Sequence, residues 1–203
     1  MHLWAHFKTI TRHKLMVMGL CFRAGLYRQG LLHDLSKYSW TEFSKGIIYY
    51  QGDRSPNNYE REVTGLSLSW LHHKGRNKHH FEYWLDYDAR SPGHVTGMLM
   101  PRRYVAEMFC DRIAACRVYE KENYTPASPA KFFYRSNGRF LMHDTTRREL
   151  GYLLTFLAVH GEGEALSYIR NSYLRDEAIP ASFVEYDSLQ VFDAALEAGD
   201  VQI

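Results

Sequence analysis

Cysteine is scarce in this sequence of 203 residues, which contains only Cys21, Cys110 and Cys116 and has no CxxC pair. An odd number of unclustered cysteines does not fit a disulfide framework, and the spacing of Cys110 and Cys116 matches no common zinc motif. We therefore exclude a small secreted scaffold held together by disulfides. Reduced, buried thiols in a cytoplasmic protein are expected instead.

Long apolar segments are also absent. A helix that spans a bilayer needs about 20 consecutive apolar residues, and no run in the sequence approaches that length. His2, His6 and Lys8 interrupt the first segment, so no signal peptide is expected. The net charge is only +2 and the basic residues are scattered, which gives no indication of a nucleic-acid surface or of an anionic membrane as a partner.

Hydrophobic and aromatic residues, by contrast, make up 45% and 15% of the sequence, which is enough for an ordered core. The length fits a single domain over residues 1–203. Within it we expect a site-forming core at about 3–122 and a C-terminal helical extension at about 128–200. Histidine is the unusual residue, because there are 11 of them and a group lies between His72 and His80.

The spacing of apolar residues predicts an all-α fold, because they recur every three or four positions in most segments. Ser39 and Glu42 have the spacing of a capping box, and Pro101 suits the first turn of a helix. No strand is predicted, and segment 88–100 is expected to be irregular. The first predicted helix begins at Leu3 and runs to a stop at Gln29 and Gly30. The other predicted helices run from Leu31 through Lys37, from Ser39 to Tyr50, from Val63 to Lys74, from Asn77 to Trp84, from Pro101 to Val118, between Ser128 and the Asn137 and Gly138 turn, from Thr146 to Gly161, from 162 to 174 and from 187 to 198.

Three polar residues fall on the apolar faces of predicted helices: His13, His73 and Asp111. A buried charge or imidazole without a partner costs roughly several kcal/mol. For any one of them, a hydrogen-bonded side chain in the core is the commoner explanation. Together with the adjacent pair His33 and Asp34, they favour a shared divalent metal ion, because imidazole and carboxylate are natural ligands of Fe, Mn, Zn and Ni.

Lys37 lies one turn beyond His33 on the same predicted helix, so both side chains are expected on one side of it. Its ammonium would then stand near the metal and hold a phosphate oxygen. A solvent-exposed helix end is the alternative explanation for Lys37. Neighbouring helix positions such as His33 and Asp34 are about 100° apart, so the pair would reach one ion only from the rim of a pocket.

The segment Leu31–Lys37, LLHDLSK, resembles the signature of the HD-domain superfamily of metal-dependent phosphohydrolases. That superfamily places its ligands in the order His, His-Asp, Asp on separate helices, an order matched here by His13, His33-Asp34 and Asp111. Segment 72–80 occupies the interval in which binuclear members insert further histidines. It also resembles an uncharacterised prokaryotic HD-like family with an HKxxNxHHxxYW-type segment. The similarity covers about residues 10–120 and implies an HD-domain-like helical bundle with additional C-terminal helices.

The resemblance implies a phosphohydrolase with one or two divalent transition-metal ions (Fe, Mn, Ni or Zn, with Mg as an alternative). The implied substrate is a small phosphorylated molecule, with a nucleotide favoured. Asp34 would orient the nucleophile, Lys37 would hold the phosphate, and His79 or His80 would protonate the leaving group. The expected catalytic residues are Asp34, Lys37 and His80, and the expected metal ligands are His13, His33, Asp34, His73, His79 and Asp111.

Two other functions stay open at this point: a non-catalytic, metal-containing domain that senses a nucleotide, and an HD-type di-iron oxygenase. The choice among the clustered histidines is also open, although the apolar stripe through Trp70 favours His73 over His72. Glu42 and Glu82 are candidates for carboxylates that hold imidazole N–H groups. The sequence does not indicate an oligomeric state.

Overall fold

Helices dominate the computed structural model, which describes residues 2–136 and 140–203, and the predicted all-α fold class is confirmed. No helix in these residues has the length and apolarity to cross a membrane. In the same part of the chain, 3₁₀ turns cover Leu35–Tyr38, Phe81–Trp84, Lys121–Asn123 and Tyr173–Arg175. The helices are α1 Leu3–Arg23, α2 Tyr27–Leu32, α3 Trp40–Ile48, α4 Pro56–Thr64, α5 Leu68–Lys74, α6 Arg102–Glu120, α7 Ser128–Arg135, α8 Asp144–Asn171 and α9 Leu189–Ala198.

One small hairpin interrupts the helices. Strands β1 (Leu85–Tyr87) and β2 (Val95–Gly97) pair antiparallel, with Leu85 opposite Gly97. The prediction that no strand forms was wrong here, because three-residue strands are too short to show an alternating pattern. A Cβ at Gly97 would lie 2.4 Å from the backbone nitrogen of His143, so glycine lets the hairpin pack closely against the start of α8.

The core forms where α1, α6 and α8 pack together. Val17 of α1, Phe109 of α6 and Leu153 of α8 are almost fully buried in one cluster. The C-terminal helices belong to the same cluster, since Phe192 of α9 packs against Tyr134 of α7 with ring centroids 4.8 Å apart. These helices therefore pack beside the elements that carry the candidate site.

Glycines with positive φ interrupt three segments of the chain. Gly25, at φ 81°, lies between α1 and α2, so the prediction that the first helix runs to Gln29 was wrong. Gly65, at φ 83°, separates α4 from α5, so the helix predicted from Val63 to Lys74 is wrong and two helices form instead. Gly161, at φ 77°, interrupts α8 at the end of one predicted helix. The predicted turn at Asn137 and Gly138 lies outside the described residues.

Candidate metal centre

His33 and Asp34 lie at the junction between α2 and the next 3₁₀ turn. α2 ends at Leu32, and Asp34 has a left-handed backbone with φ 54°, which costs a non-glycine residue roughly 1 kcal/mol. The prediction that both residues lie on one helix is therefore wrong. Lys14 of α1 holds this junction, because its Nζ donates to the carbonyl oxygens of Leu31 at 2.9 Å and His33 at 2.8 Å. Both side chains point inwards and are buried.

One group of ligand atoms joins α1, this junction and α6. His13 Nε2 lies 2.9 Å from Asp111 Oδ1 and 3.7 Å from Asp34 Oδ2. His33 Nε2 lies 3.3 Å from the same oxygen of Asp34 and 3.6 Å from Asp111 Oδ1. One ligand atom from each residue falls within 4.8 Å of the others. Such spacing fits a single ion, since metal–ligand bonds are about 2.0–2.3 Å long.

The histidine-rich segment supplies a second group around the other oxygen of Asp34. Asp34 Oδ1 lies 3.3 Å from His73 Nε2 and 3.4 Å from His79 Nε2. His80 Nε2 lies 2.9 Å from His73 Nε2, and nitrogens that bind one ion at about 2.1 Å and at right angles lie roughly 3 Å apart. His73 comes from α5, whereas His79 and His80 lie in a turn. Of the helix predicted over 77–84, only the 3₁₀ turn Phe81–Trp84 forms.

Asp34 belongs to both groups. Its Oδ2 faces His13 and His33, and its Oδ1 faces His73 and His79. Asp34 therefore presents one carboxylate oxygen to each group of potential metal ligands.

Carboxylates behind the two groups orient the imidazoles. Glu107 of α6 lies 2.9 Å from His33 Nδ1 and 3.1 Å from His79 Nδ1. Glu42 of α3 lies 2.8 Å from His73 Nδ1. An ionised carboxylate only accepts hydrogen bonds, so these Nδ1 atoms carry a proton and the Nε2 atoms point into the site, where a bound cation would take their lone pairs. Carboxylates commonly support metal-binding histidines in this way.

Several inward-facing polar atoms form no hydrogen bond of regular geometry among the described residues, although two of them lie within ion-pair distance of a charged side chain. They are both carboxylate oxygens of Asp34 and the Nε2 atoms of His13, His33 and His79. Leaving a buried polar atom unpaired costs roughly 1–3 kcal/mol, so such a concentration is unusual. Bound cations would satisfy all of these atoms, and the buried cluster can therefore hold a metal ion.

Lys37 contacts the centre directly, since its Nζ lies 2.6 Å from Asp34 Oδ2. Burial alone raises the pKa of Asp34, but His33 and Lys37 outweigh burial and hold that pKa well below its usual range. Burial alone lowers the pKa of Lys37, whereas Asp34 and Asp111 raise it above its usual value. Both Asp34 and Lys37 are therefore charged at neutral pH.

His80 is neutral at the same pH. Burial, followed by the adjacent His79 and His73, lowers the pKa of His80 well below its usual value. A neutral imidazole has a free lone pair that a metal ion could take. The predicted role of His80 as a proton donor stays a prediction.

A cavity of about 480 Å³, here called the front cavity, opens beside the centre. Its lining includes Lys37, His80 and several residues of segment 52–58. Arg112 also lines it, and the Nε and Nη1 atoms of this arginine are buried without a hydrogen-bond partner in the described part of the chain. The guanidinium Cζ lies 5.6 Å from the ring centroid of Phe133. A guanidinium with free N–H groups at a cavity wall suits an anionic ligand.

The structure brings together all the side chains that the sequence predicted as metal ligands or catalytic groups. Glu42 holds imidazoles as predicted and also accepts from His72 at 2.6 Å, whereas Glu82 accepts from no imidazole among the described residues. Glu107 and Arg112 were missed. Glu107 precedes Asp111 by one helical turn, so the spacing carried a signal. The predicted residues that converge are His13, His33, Asp34, Lys37, His73, His79, His80 and Asp111.

Comparison with known proteins gives a family but no function. A family model described as "Family of unknown function (DUF5662)" matches residues 2–155. This range contains all of the candidate ligands and ends within α8. No curated protein and no solved structure matches the chain.

Proposed function

The chain belongs to the DUF5662 family of unknown function, and we propose that it is a metal-dependent phosphohydrolase of the HD type. Its substrate would be a small phosphoester, with a nucleotide favoured. One observation carries the proposal: the two buried oxygens of Asp34 each face a separate group of imidazoles beside a cavity lined by Lys37.

In this proposal the site would hold two divalent ions. His13, His33, Asp111 and Asp34 Oδ2 would hold one ion, and His73, His79, His80 and Asp34 Oδ1 would hold the other. Mixed imidazole and carboxylate ligands suit Fe, Mn, Ni or Zn, with Mg as an alternative. Ions of this kind lower the pKa of a bound water and polarise a phosphoryl oxygen.

The protein's own residues would bind and orient the phosphoester. Lys37 already lies against Asp34 at the edge of the front cavity, where its ammonium can hold a phosphate oxygen. The Nε and Nη1 groups of Arg112, which have no hydrogen-bond partner among the described residues, offer a second contact for an anionic or carbonyl group. Arg54 and Arg61 add positive charge to the same cavity. Substrate anions would therefore be drawn to the side of the centre on which Lys37 lies.

Metal analysis of protein purified without a chelator tests the centre. We expect Asp34→Asn to lose both ions, because each oxygen of Asp34 serves a different group, and asparagine tolerates the left-handed backbone. His80→Ala should lose only the second ion. His72 is next to His73 in the sequence but belongs to neither group of ligands. The control variant His72→Ala should therefore keep both ions. Unchanged metal content in Asp34→Asn would contradict the proposed centre.

Phosphate release from a panel of phosphomonoesters and nucleotides, with Mn, Fe, Ni, Zn and Mg in turn, tests the reaction. We expect metal-dependent hydrolysis by the wild-type chain. Lys37→Met should retain its metal and show a raised KM, because it loses a contact to the phosphate. If the metal-loaded protein hydrolyses none of these esters, the proposal of a phosphohydrolase is wrong. A product that forms only with oxygen would support the oxygenase in its place.

A further inference from the structure

A second cavity, here called the back cavity, borders the candidate metal centre at Glu107 and His79. Its volume is about 520 Å³, and both Glu107 and His79 line it. His79 Nδ1 faces Glu107, whereas its Nε2 faces Asp34. Of the described residues, none lines both the back cavity and the front cavity. The two cavities therefore approach the centre from different sides.

Positive charge without matching carboxylates distinguishes the back cavity. Arg28, Arg76, Lys78 and Arg103 line it, and none of them forms an ion pair with a carboxylate in the described part of the chain. Glu107 also lines it but already accepts from His33 and His79.

Two of these cations converge on one aromatic ring. Lys78 Nζ lies 6.0 Å and Arg103 Cζ lies 4.9 Å from the ring centroid of Tyr104. Like charges that line one cavity repel each other, and a bound anion would lower that repulsion.

We propose that the back cavity binds a small anion that carries two or more phosphate groups, at a site separate from the metal centre. Its volume falls within the range of about 300–1,000 Å³ that small-ligand sites occupy. Arginine forks at Arg28, Arg76 and Arg103 match the oxygens of phosphate groups. A concave site with few cations suits a small molecule, whereas a nucleic-acid strand requires an extended basic surface.

Amide chemical-shift titration of the full chain with pyrophosphate tests this site. We expect shifts at residues 76–79 and 103–104 and weaker binding of orthophosphate, because a single phosphate group meets fewer of the cations. The double variant Lys78→Ala/Arg103→Ala should weaken pyrophosphate binding roughly tenfold or more. The control Lys8→Ala/Arg175→Ala removes the same charge from exposed positions that line neither cavity and should bind like the wild type.

Binding of pyrophosphate at the metal centre is the competing explanation, and Asp111→Asn separates the two. We expect this variant to keep the shifts at residues 76–79 and 103–104. Binding that is lost in Asp111→Asn but kept in Lys78→Ala/Arg103→Ala would overturn the proposal. A single-stranded oligonucleotide that binds more tightly than pyrophosphate through the same amides would also overturn it, because the surface would then belong to a nucleic acid.

Discussion

Glu107 accepts from the Nδ1 atoms of two imidazoles, and each of these imidazoles directs its Nε2 at a different oxygen of Asp34. The loss of its charge would weaken both imidazoles as ligands. We expect Glu107→Gln to lower metal affinity roughly 10–100-fold, as measured by competition with a chromogenic chelator. Glu82→Gln is the matched control, since Glu82 accepts from no imidazole in the described residues. Equal affinity in the wild type and Glu107→Gln would reduce Glu107 to a packing residue.

The convergence of these side chains on one site was predictable from the sequence, whereas their local geometry was not. His13 and Asp111 stand out because they interrupt apolar helix faces, and His33 and Asp34 stand out because they are adjacent. The left-handed conformation of Asp34 has no such signature, since a single positive φ leaves the periodicity of its neighbours unchanged. Glu107 was missed because a glutamate on a helix usually faces solvent.

Contact between α1 and α3 depends on the absence of a side chain at Gly46. A Cβ there would lie 2.0 Å from Nε2 of the buried His6. We expect Gly46→Ala to lower the free energy of unfolding by roughly 1–3 kcal/mol, as measured by denaturant titration. Gly19→Ala on α1 is the control: it meets nothing within 4 Å, so the reduced chain entropy should raise stability by about 0.4–1 kcal/mol. Similar effects of both substitutions would contradict the close approach of the two helices.

The buried carboxylate of Glu60 stabilises the connection between α4 and α5. Glu60 of α4 accepts from the hydroxyls of Ser67 and Ser69. Burial raises the pKa of Glu60, but these hydrogen bonds outweigh it and lower the pKa. A lowered folded-state pKa contributes stability above the unfolded-state value, and this stability is lost as the pH falls through the folded-state value.

We therefore expect Glu60→Gln to be less stable than the wild type at pH 7 by roughly 1–2 kcal/mol. The difference should shrink below about pH 4, where the unfolded-state carboxyl becomes protonated. Urea titrations across this pH range measure it. A constant difference at every pH would show that the ionised form of Glu60 has no special role.

At the start of α3, a capping pattern in the sequence competes with a second role for the same glutamate. Ser39 and Glu42 have the spacing of a capping box, and Ser39 does precede α3, but its side chain makes no capping hydrogen bond. Glu42 turns towards His73 instead. The capping pattern predicted where α3 begins. It gave no indication that Glu42 accepts a hydrogen bond from His73 of α5.

The whole chain should be less stable without metal, because the ligands come from α1, α5, α6 and the loops between helices. An ion that binds only the folded state at about 100 times its Kd should raise Tm by roughly 5–10 °C. We expect chelator treatment to lower Tm by this amount and added Mn or Zn to restore it, as followed by circular dichroism. Asp34→Asn should not respond to either treatment. If the chelator does not change the Tm of the wild type, the result would contradict a metal centre.

The contact between Lys37 and Asp34 links the binding of a metal ion to the binding of an anion. The ammonium already neutralises the oxygen that would serve the first ion, so arrival of that ion must loosen the ammonium from the carboxylate. A loosened ammonium at the cavity edge is then available to an incoming anion. By thermodynamic linkage, the anion must strengthen metal retention by the same factor by which the metal strengthens anion binding. Metal and anion would thus bind cooperatively, with Lys37 as the side chain that couples them.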